Sequence, residues 1–373
     1  MENRVCEQLG IEVPILAFTH CRDVVAAVTR AGGMGVLGAA AHTPEQLDID
    51  LRWIREQVGD KPFGVDVIIP AKYEGKGGNE VSRDALASLI PDAHREFLDD
   101  LLRRYEVPPL PDDGHAHRDG AAPMSHAQAV PLMDVAFSHP ISLIANALGP
   151  PPPDLLERAK AQGVAVAALA GKVSHAVRHE AAGVDIIVAQ GYEAGGHTGD
   201  IGTMVLVPEI VDAVQVPVLA AGGIARGRQM AAALALGAEG VWCGSVWLTT
   251  EEAETHPTVK QKFLAATSSD TLRSRSRTGN PARQLRSAWT DEWESPSSPG
   301  PLGMPLQPML IAAASARIDR AAFDPSSKAA QLANYFVGQV VGSMNEVKPA
   351  ARVVLEMVDE LIDAMTRVND MMR

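Results

Sequence analysis

The densest chemistry in the sequence lies in residues 189–202, AQGYEAGGHTGDIG, where an amide (Gln190), a carboxylate (Glu193) and an imidazole (His197) share one loop with Gly195, Gly196 and Gly199. The loop follows a strand-like run, Asp185 to Ala189. A glycine run lets backbone approach a ligand, and at the carboxyl end of a barrel strand His197 is the candidate catalytic group. The bland alternative is that the glycines only shape a long loop which His197 bridges. A second signal, AAGGIARG at 220–227, ends a strand in Gly222 and Gly223 and opens a helix whose N–H groups and dipole suit a phosphate. The third is WCGS: Trp242, Cys243, Gly244 and Ser245 end the next strand, and the last two can give backbone and hydroxyl donors to that phosphate. Together they imply a phosphorylated cofactor, and FMN is the common one for a barrel with this glycine pattern.

Other patterns read as structure. Gly32, Gly33, Gly35 and Gly38 surround a strand start instead of joining strand to helix, so they are a helix cap and turn and not a dinucleotide loop. His115 and His117 have no third metal ligand nearby in a polar loop, and no HExxH or paired CxxC occurs, so no metal is expected. Arg273, Arg275 and Arg277 could attract an anion, but a solvated face is the simpler reading.

Those residues need a scaffold, and the 373-residue chain, 46% hydrophobic and 21% charged, can bury one large core. Strand-like runs at 14–18, 34–37, 62–69, 141–146, 164–169, 185–189, 218–221 and 240–243 alternate with helical patterns. Such a rhythm is α/β, and its repeat number favours a (β/α)8 TIM barrel over an open doubly wound sheet. Residues 1–267 form the barrel in this reading, with an insertion at about 70–138 as a lid after strand 3. The insertion holds a GKGG patch, a helix from Asp92 to Tyr105 and a Pro, His and Asp loop. Residues 268–373 form a C-terminal loop and helical extension packing on the barrel. Ser268 to Gly303 lacks periodicity, whereas Ala329 to Val341 and Pro349 to Met372 read as helices.

Composition narrows the partners. Thirty-three basic against 46 acidic residues give a formal charge of −13, which disfavours nucleic acid or an anionic membrane. Cys6, Cys21 and Cys243 are odd in number and far apart, which suits a reducing cytoplasmic compartment. The opening MENRVCEQLG has no apolar signal region, and no apolar run reaches the ~18 residues of a membrane span.

Taken together, AGGMGVLGAA (31–40), KPFGVDV (61–67), GVDIIVAQGYEAGGHTG (183–199), VPVLAAGGIARG (216–227), RTGNPARQLR (277–286) and GMPLQPM (303–309) resemble the nitronate monooxygenase family, also called 2-nitropropane dioxygenase-like. The resemblance covers most of the chain and implies an FMN-dependent barrel enzyme that oxidises nitronates with dioxygen to a carbonyl compound and nitrite. It places flavin contacts on Gln190, Gly195, Gly223 and 242–245, with Gly196, Gly222 and Asp66 beside them. Three positions depart from the family. PILAFTHCRD, with Thr19 and His20, replaces PxxQAPM or PxFQGGM; Asp66 replaces the Asn of a VNL-like motif; and Asn146 in LIANALG stands where nitroalkane-using relatives carry a histidine. A nitronate is already an anion and needs only positioning by His197, whereas a neutral nitroalkane needs a base, for which His197 or His20 is the candidate. The rival functions are an NAD(P)H-dependent flavin oxidoreductase acting on an acyl thioester, enoyl reductase-like, and a flavin-storing protein without catalysis. A small-molecule substrate and dioxygen are the expected partners, and a homodimer is expected by analogy.

Overall fold

Short runs of β-branched and small apolar residues, each followed by an amphipathic stretch, fold here into parallel strands joined by helices. The computed structural model describes residues 3–69, 83–110, 126–147 and 149–373. The strands in chain order are β1 (Ile15–Thr19), β2 (Met34–Gly38), β3 (Gly64–Val67), β4 (Leu143–Asn146), β5 (Ala165–Ala170), β6 (Ile186–Gln190), β7 (Gly196–His197), β8 (Val218–Ala221), β9 (Gly240–Cys243), β10 (Thr271–Ser274) and β11 (Ala282–Leu285). The helices are α1 (Arg4–Leu9), α2 (Arg22–Arg30), α3 (Pro44–Val58), α4 (Arg83–Ala87), α5 (Asp92–Arg104), α6 (His126–Ser138), α7 (Pro153–Gln162), α8 (Val173–Ala182), α9 (Thr203–Ala213), α10 (Gly227–Ala235), α11 (Pro257–Ala265), α12 (Ala288–Trp293), α13 (Leu306–Ala321), α14 (Ala329–Leu332) and α15 (Ala350–Met371).

Strands β1 to β6, β8 and β9 pair in that order into a closed barrel, with Ile15 opposite Val241 at the seam. This is the expected (β/α)8 architecture. Alternate residues such as Leu16, Val36, Ala145, Val188 and Trp242 fill the interior, while their neighbours pack under the helices. Helix α1 plugs the amino end: Val5, Cys6 and Leu9 join that interior cluster, and Asn3 accepts from Cys6 N–H as the helix cap. The carboxyl ends of the strands form the opposite mouth, where barrel sites lie.

The structure revises three sequence expectations. Helix α6, read as the end of an irregular insertion, is barrel wall: it packs on α3, α7 and β3 with Leu132, Met133 and Ala136 buried. Ser268 to Gly303 is not structureless, because β10 and β11 pair antiparallel and β11 continues onto β7, setting Ala282 opposite His197. Ala329 to Val341 is not one helix. After α14 it extends, bridges Gln284 through Phe336, and resumes only as a 3-10 turn at Gln339–Ser343.

Helix α15 packs between α10 and α2 and so takes the place of the eighth barrel helix. Its Val353, Val354, Met357 and Leu361 are buried at helical spacing. The segment read as an extension therefore ends in the barrel wall. Its approach depends on Gly227, where a Cβ would lie 2.0 Å from the Met357 carbonyl oxygen. The described part of the insertion also docks on the C-terminal region, with Phe97 against Trp293 at 5.0 Å and Arg104 bidentate on Glu292 at 2.6 and 2.8 Å. The GKGG patch and the His115/His117 pair lie outside the described residues.

Candidate functional site

Two polar side chains point into the barrel at its mouth. Gln190 follows inward-facing Val188 by two residues, and Asp66 lies in register between Gly38 and inward-facing Ala145. Neither forms a hydrogen bond to a described residue, although Asp66 is only 2% exposed. Burial pushes the Asp66 carboxyl well above the ordinary carboxylate range. A polar group as enclosed as Asp66 is normally satisfied, so with half-buried Gln190 it marks a place where an occupant would supply the partners.

Next to Gln190, which pairs with Ala221 of β8, lies a cradle of backbone donors, and Asp66 on β3 faces it from across the barrel mouth. Gly222 and Gly223 both have positive φ, 92° and 73°, and turn the chain just past β8. Gly244 and Ser245 stand just past β9, which pairs with β8 through Ala221 and Trp242. The amide N–H groups of all four donate to no described residue. Successive free N–H groups in such turns form an anion-binding concavity. The Ser245 hydroxyl accepts from Gly338 N–H at 2.8 Å and keeps its own proton to donate.

One expected anchor is already occupied. The sequence makes the amino end of α10 a phosphate seat, but Gly227 N–H donates to Glu360 of α15 at 3.0 Å, and Ala225 and Arg226 N–H both donate to Gln229 Oε1. An anion in the cradle must therefore rely on the strand-end glycines. Glu360→Gln is expected to cost about 1 kcal/mol of stability, the scale of a lost charged cap, and to leave flavin content unchanged. Thermal denaturation with a flavin-to-protein ratio checks this; lost flavin at unchanged stability would restore the helix as the anchor.

The glycine loop is held by contacts that sequence alone does not show. Glu193 accepts from Thr203 N–H at 2.9 Å and so caps α9, which gives this carboxylate a structural task. Gly195 lies against Val337 and Gly338, where a Cβ would come within 2.9 Å of backbone, while Gly196 has φ 76° and an open Cβ position. Gln339 N–H donates to Glu193 O at 2.9 Å, so 337–339 straps the loop to Ser245.

His197 and His20 share a geometry. His197 Nδ1 lies 3.2 Å from Pro281 O, and His20 Nδ1 lies 2.9 Å from Gly38 O. A carbonyl only accepts, so Nδ1 carries the proton and Nε2 keeps its lone pair. Burial lowers the pKa of both below the usual 6.5. His20 keeps accessible surface while Phe18 packs edge-on at 5.2 Å, as befits the wall of a concavity. Gly38 makes room: a Cβ there would meet the His20 ring at 2.6 Å.

The remaining candidates have other tasks. Trp242 stacks on Phe18 inside the barrel at 6.1 Å, and Cys243 faces the helical shell with its thiol pushed up to about 12 by burial. Any cofactor contact from these two is through main chain. Asn146 is a clamp, accepting from Ile69 N–H at 3.0 Å and donating to Gly149 O at 3.1 Å. Arg273 pairs with Asp200, and Arg277 binds Asn334 through Nε at 2.8 Å; both are tied into the fold. Arg283, which sequence reading missed, is 2% exposed and lies over Tyr192 at 4.4 Å.

Comparison with known proteins places this geometry. The sequence profile of the family described as nitronate monooxygenase matches residues 10–360. A Mycobacterium tuberculosis protein named as a putative monooxygenase is 62% identical over all of both chains. A Staphylococcus aureus protein named as a probable nitronate monooxygenase is 29% identical over 78% of this chain and 80% of its own. Among solved structures, nitroalkane oxidase from Streptomyces ansochromogenes superposes with a TM-score of 0.78 at 27% identity, covering 98% of this chain and 100% of that one. FabK from Thermotoga maritima gives 0.73 at 28%, covering 99% of each.

Proposed function

The chain belongs to the nitronate monooxygenase family, and from that premise we propose that it binds FMN at the barrel mouth and oxidises alkyl nitronates with dioxygen to a carbonyl compound and nitrite. The coarser statement, that it is a flavin oxidoreductase, follows from the family itself. The observation that carries the proposal is the donor cradle of Gly222, Gly223, Gly244 and Ser245 at the same barrel mouth as the side chains of Gln190 and Asp66, which have no hydrogen-bond partner among the described residues. In this reading the cradle holds the FMN phosphate, Gln190 and Asp66 address the ring, and Gly195 and Gly196 let the loop backbone close on it. When bound, the flavin takes electrons from the substrate and passes them to dioxygen.

The protein's own part is binding and proton placement. His197 stands at the end of the glycine loop and acts as a positioning residue. Its Nε2 donates to an anionic oxygen only when the ring is protonated, so its hold on a nitronate weakens as pH rises through its lowered pKa. His197→Asn is expected to lower turnover severalfold, to flatten that pH dependence of KM, and to leave flavin stoichiometry intact. Steady-state kinetics across pH with a flavin spectrum checks it, and unchanged kinetics would remove the role.

A spectrum of the isolated protein, followed by anaerobic mixing with propyl-2-nitronate and separately with NADPH, tests the reaction. Change in the flavin band with nitronate alone supports the proposal. Bleaching by NADPH alone supports the second reading, an NAD(P)H-dependent oxidoreductase acting on an acyl thioester, which the full-length likeness to the FabK structure favours. A protein without flavin affinity overturns both.

A further inference from the structure

Resting on that flavin reading, we infer that Asp66 stands in the barrel as a neutral carboxylic acid whose O–H donates a hydrogen bond to the bound flavin ring. The position allows little else. Asp66 faces the barrel interior near the end of β3, and its register partners, Gly38 on β2 and Ala145 on β4, bring no polar side chain to it. The carboxyl has no hydrogen bond to a described residue and is nearly sealed from solvent. Among the described residues a carboxylate so placed has neither a cation nor a donor, a state that burial makes very costly.

Among the described residues, no charge stands by to offset this. Strands β2 and β4 contain no titratable residue. Just past β1, His20 is tied to the Gly38 carbonyl; on α6, packed behind β3, Asp134 lies on the solvent side and pairs with Arg158 at 2.7 Å. Burial drives the upward shift at Asp66, and no charge among the described residues contributes to it. A neutral carboxyl offers one O–H donor and one acceptor oxygen, so it can take over either half of the bonding of the amide that the family resemblance places here. A protonated carboxylic acid used as a donor in an apolar site has this chemistry.

Infrared difference spectra of protein carrying 13C-labelled aspartate, wild type minus Asp66→Asn, at neutral pH and with and without FMN, test the inference. The expected result is a protonated-carboxyl C=O band from Asp66 in the free protein that moves to lower frequency when FMN binds. Absence of the band, or a band that stays put while FMN binds stoichiometrically, overturns it. If the wild type binds no FMN the flavin reading fails, and the donor role with it, while the band in the free protein still reports the neutral acid by itself. Stability gives a second readout. With a raised folded pKa, the wild type is at full relative stability below about pH 4, where the unfolded side chain is also protonated, and loses it as pH rises toward the folded value. Asp66→Asn should therefore gain thermal stability over the wild type as pH rises from 4 to 8. Asp66→Ser should behave likewise if the amide fails to fold, and a pH-independent difference for whichever variant folds counts against the inference.

Discussion

Gly222→Val is expected to yield a folded barrel with at least 100-fold weaker FMN affinity. At this position φ is 92°, a left-handed conformation that a β-branched residue adopts only with strain of about 1–3 kcal/mol. The added Cβ would lie 2.9 Å from Gly191 O and 3.2 Å from Ala194 N, both backbone atoms of the loop that carries His197. Neither contact can be relieved by a side-chain rotation, so the turn itself must shift. The free N–H groups of Gly222 and Gly223 shift with it, and an anion bound by oriented amides loses its geometry. Gly163→Val separates strain from site: φ there is 69°, nothing lies within 4 Å, and the residue caps α7. Both variants should lose stability, but only Gly222→Val should lose FMN, as read by fluorescence titration. Wild-type affinity in Gly222→Val would remove the strand-end cradle as the phosphate seat.

The same contacts show why some of this site was legible in the sequence. A buried parallel strand is a short apolar run bounded by Gly or Pro, so Val218–Ala221 and Gly240–Cys243 could be placed to the residue, and with them the glycines that follow. What sequence reading missed depends on partners far along the chain. The cap on α10 comes from Glu360, 133 residues beyond Gly227. TLRS and ARQL do not look like strands, because their arginines are buried by Tyr192 and by pairing to β7 instead of by an apolar face. The apolar spacing of 329–341 suits a helix, yet Gly338 must lie flat against the glycine loop, where a Cβ would come within 2.7 Å of Glu193 O, and tertiary packing overrides the local pattern. Asp66 was legible as a departure from the family, but its environment was not: only the closed barrel shows that its register partners, Gly38 and Ala145, bring it no polar side chain.

His20→Gln is expected to divide the two substrate forms: turnover of a neutral nitroalkane should fall by about 10²–10⁴-fold, the usual contribution of a general base, while turnover of the corresponding nitronate stays within a factor of a few. A neutral nitroalkane must lose its α-proton before oxidation, and the residue at the strand-four position, Asn146, is fully engaged with Ile69 and Gly149 and carries no basic nitrogen. His20 extends directly from β1, and the carbonyl of Gly38 holds its proton on Nδ1 at 2.9 Å, leaving Nε2 as the basic atom. Gln keeps a polar group of similar reach but cannot accept the proton. The pH dependence has a definite sign. A base works deprotonated, and because burial lowers the His20 pKa below 6.5, nitroalkane turnover should rise with pH and level off below that value, with the rise absent in His20→Gln. Steady-state rates on nitroethane and ethyl nitronate between pH 5 and 8, with flavin content measured in parallel, check this. Equal loss on both substrates would make His20 a structural support of the Phe18 and Gly38 wall, and equal retention would pass the base to His197, whose Nε2 likewise has no partner among the described residues.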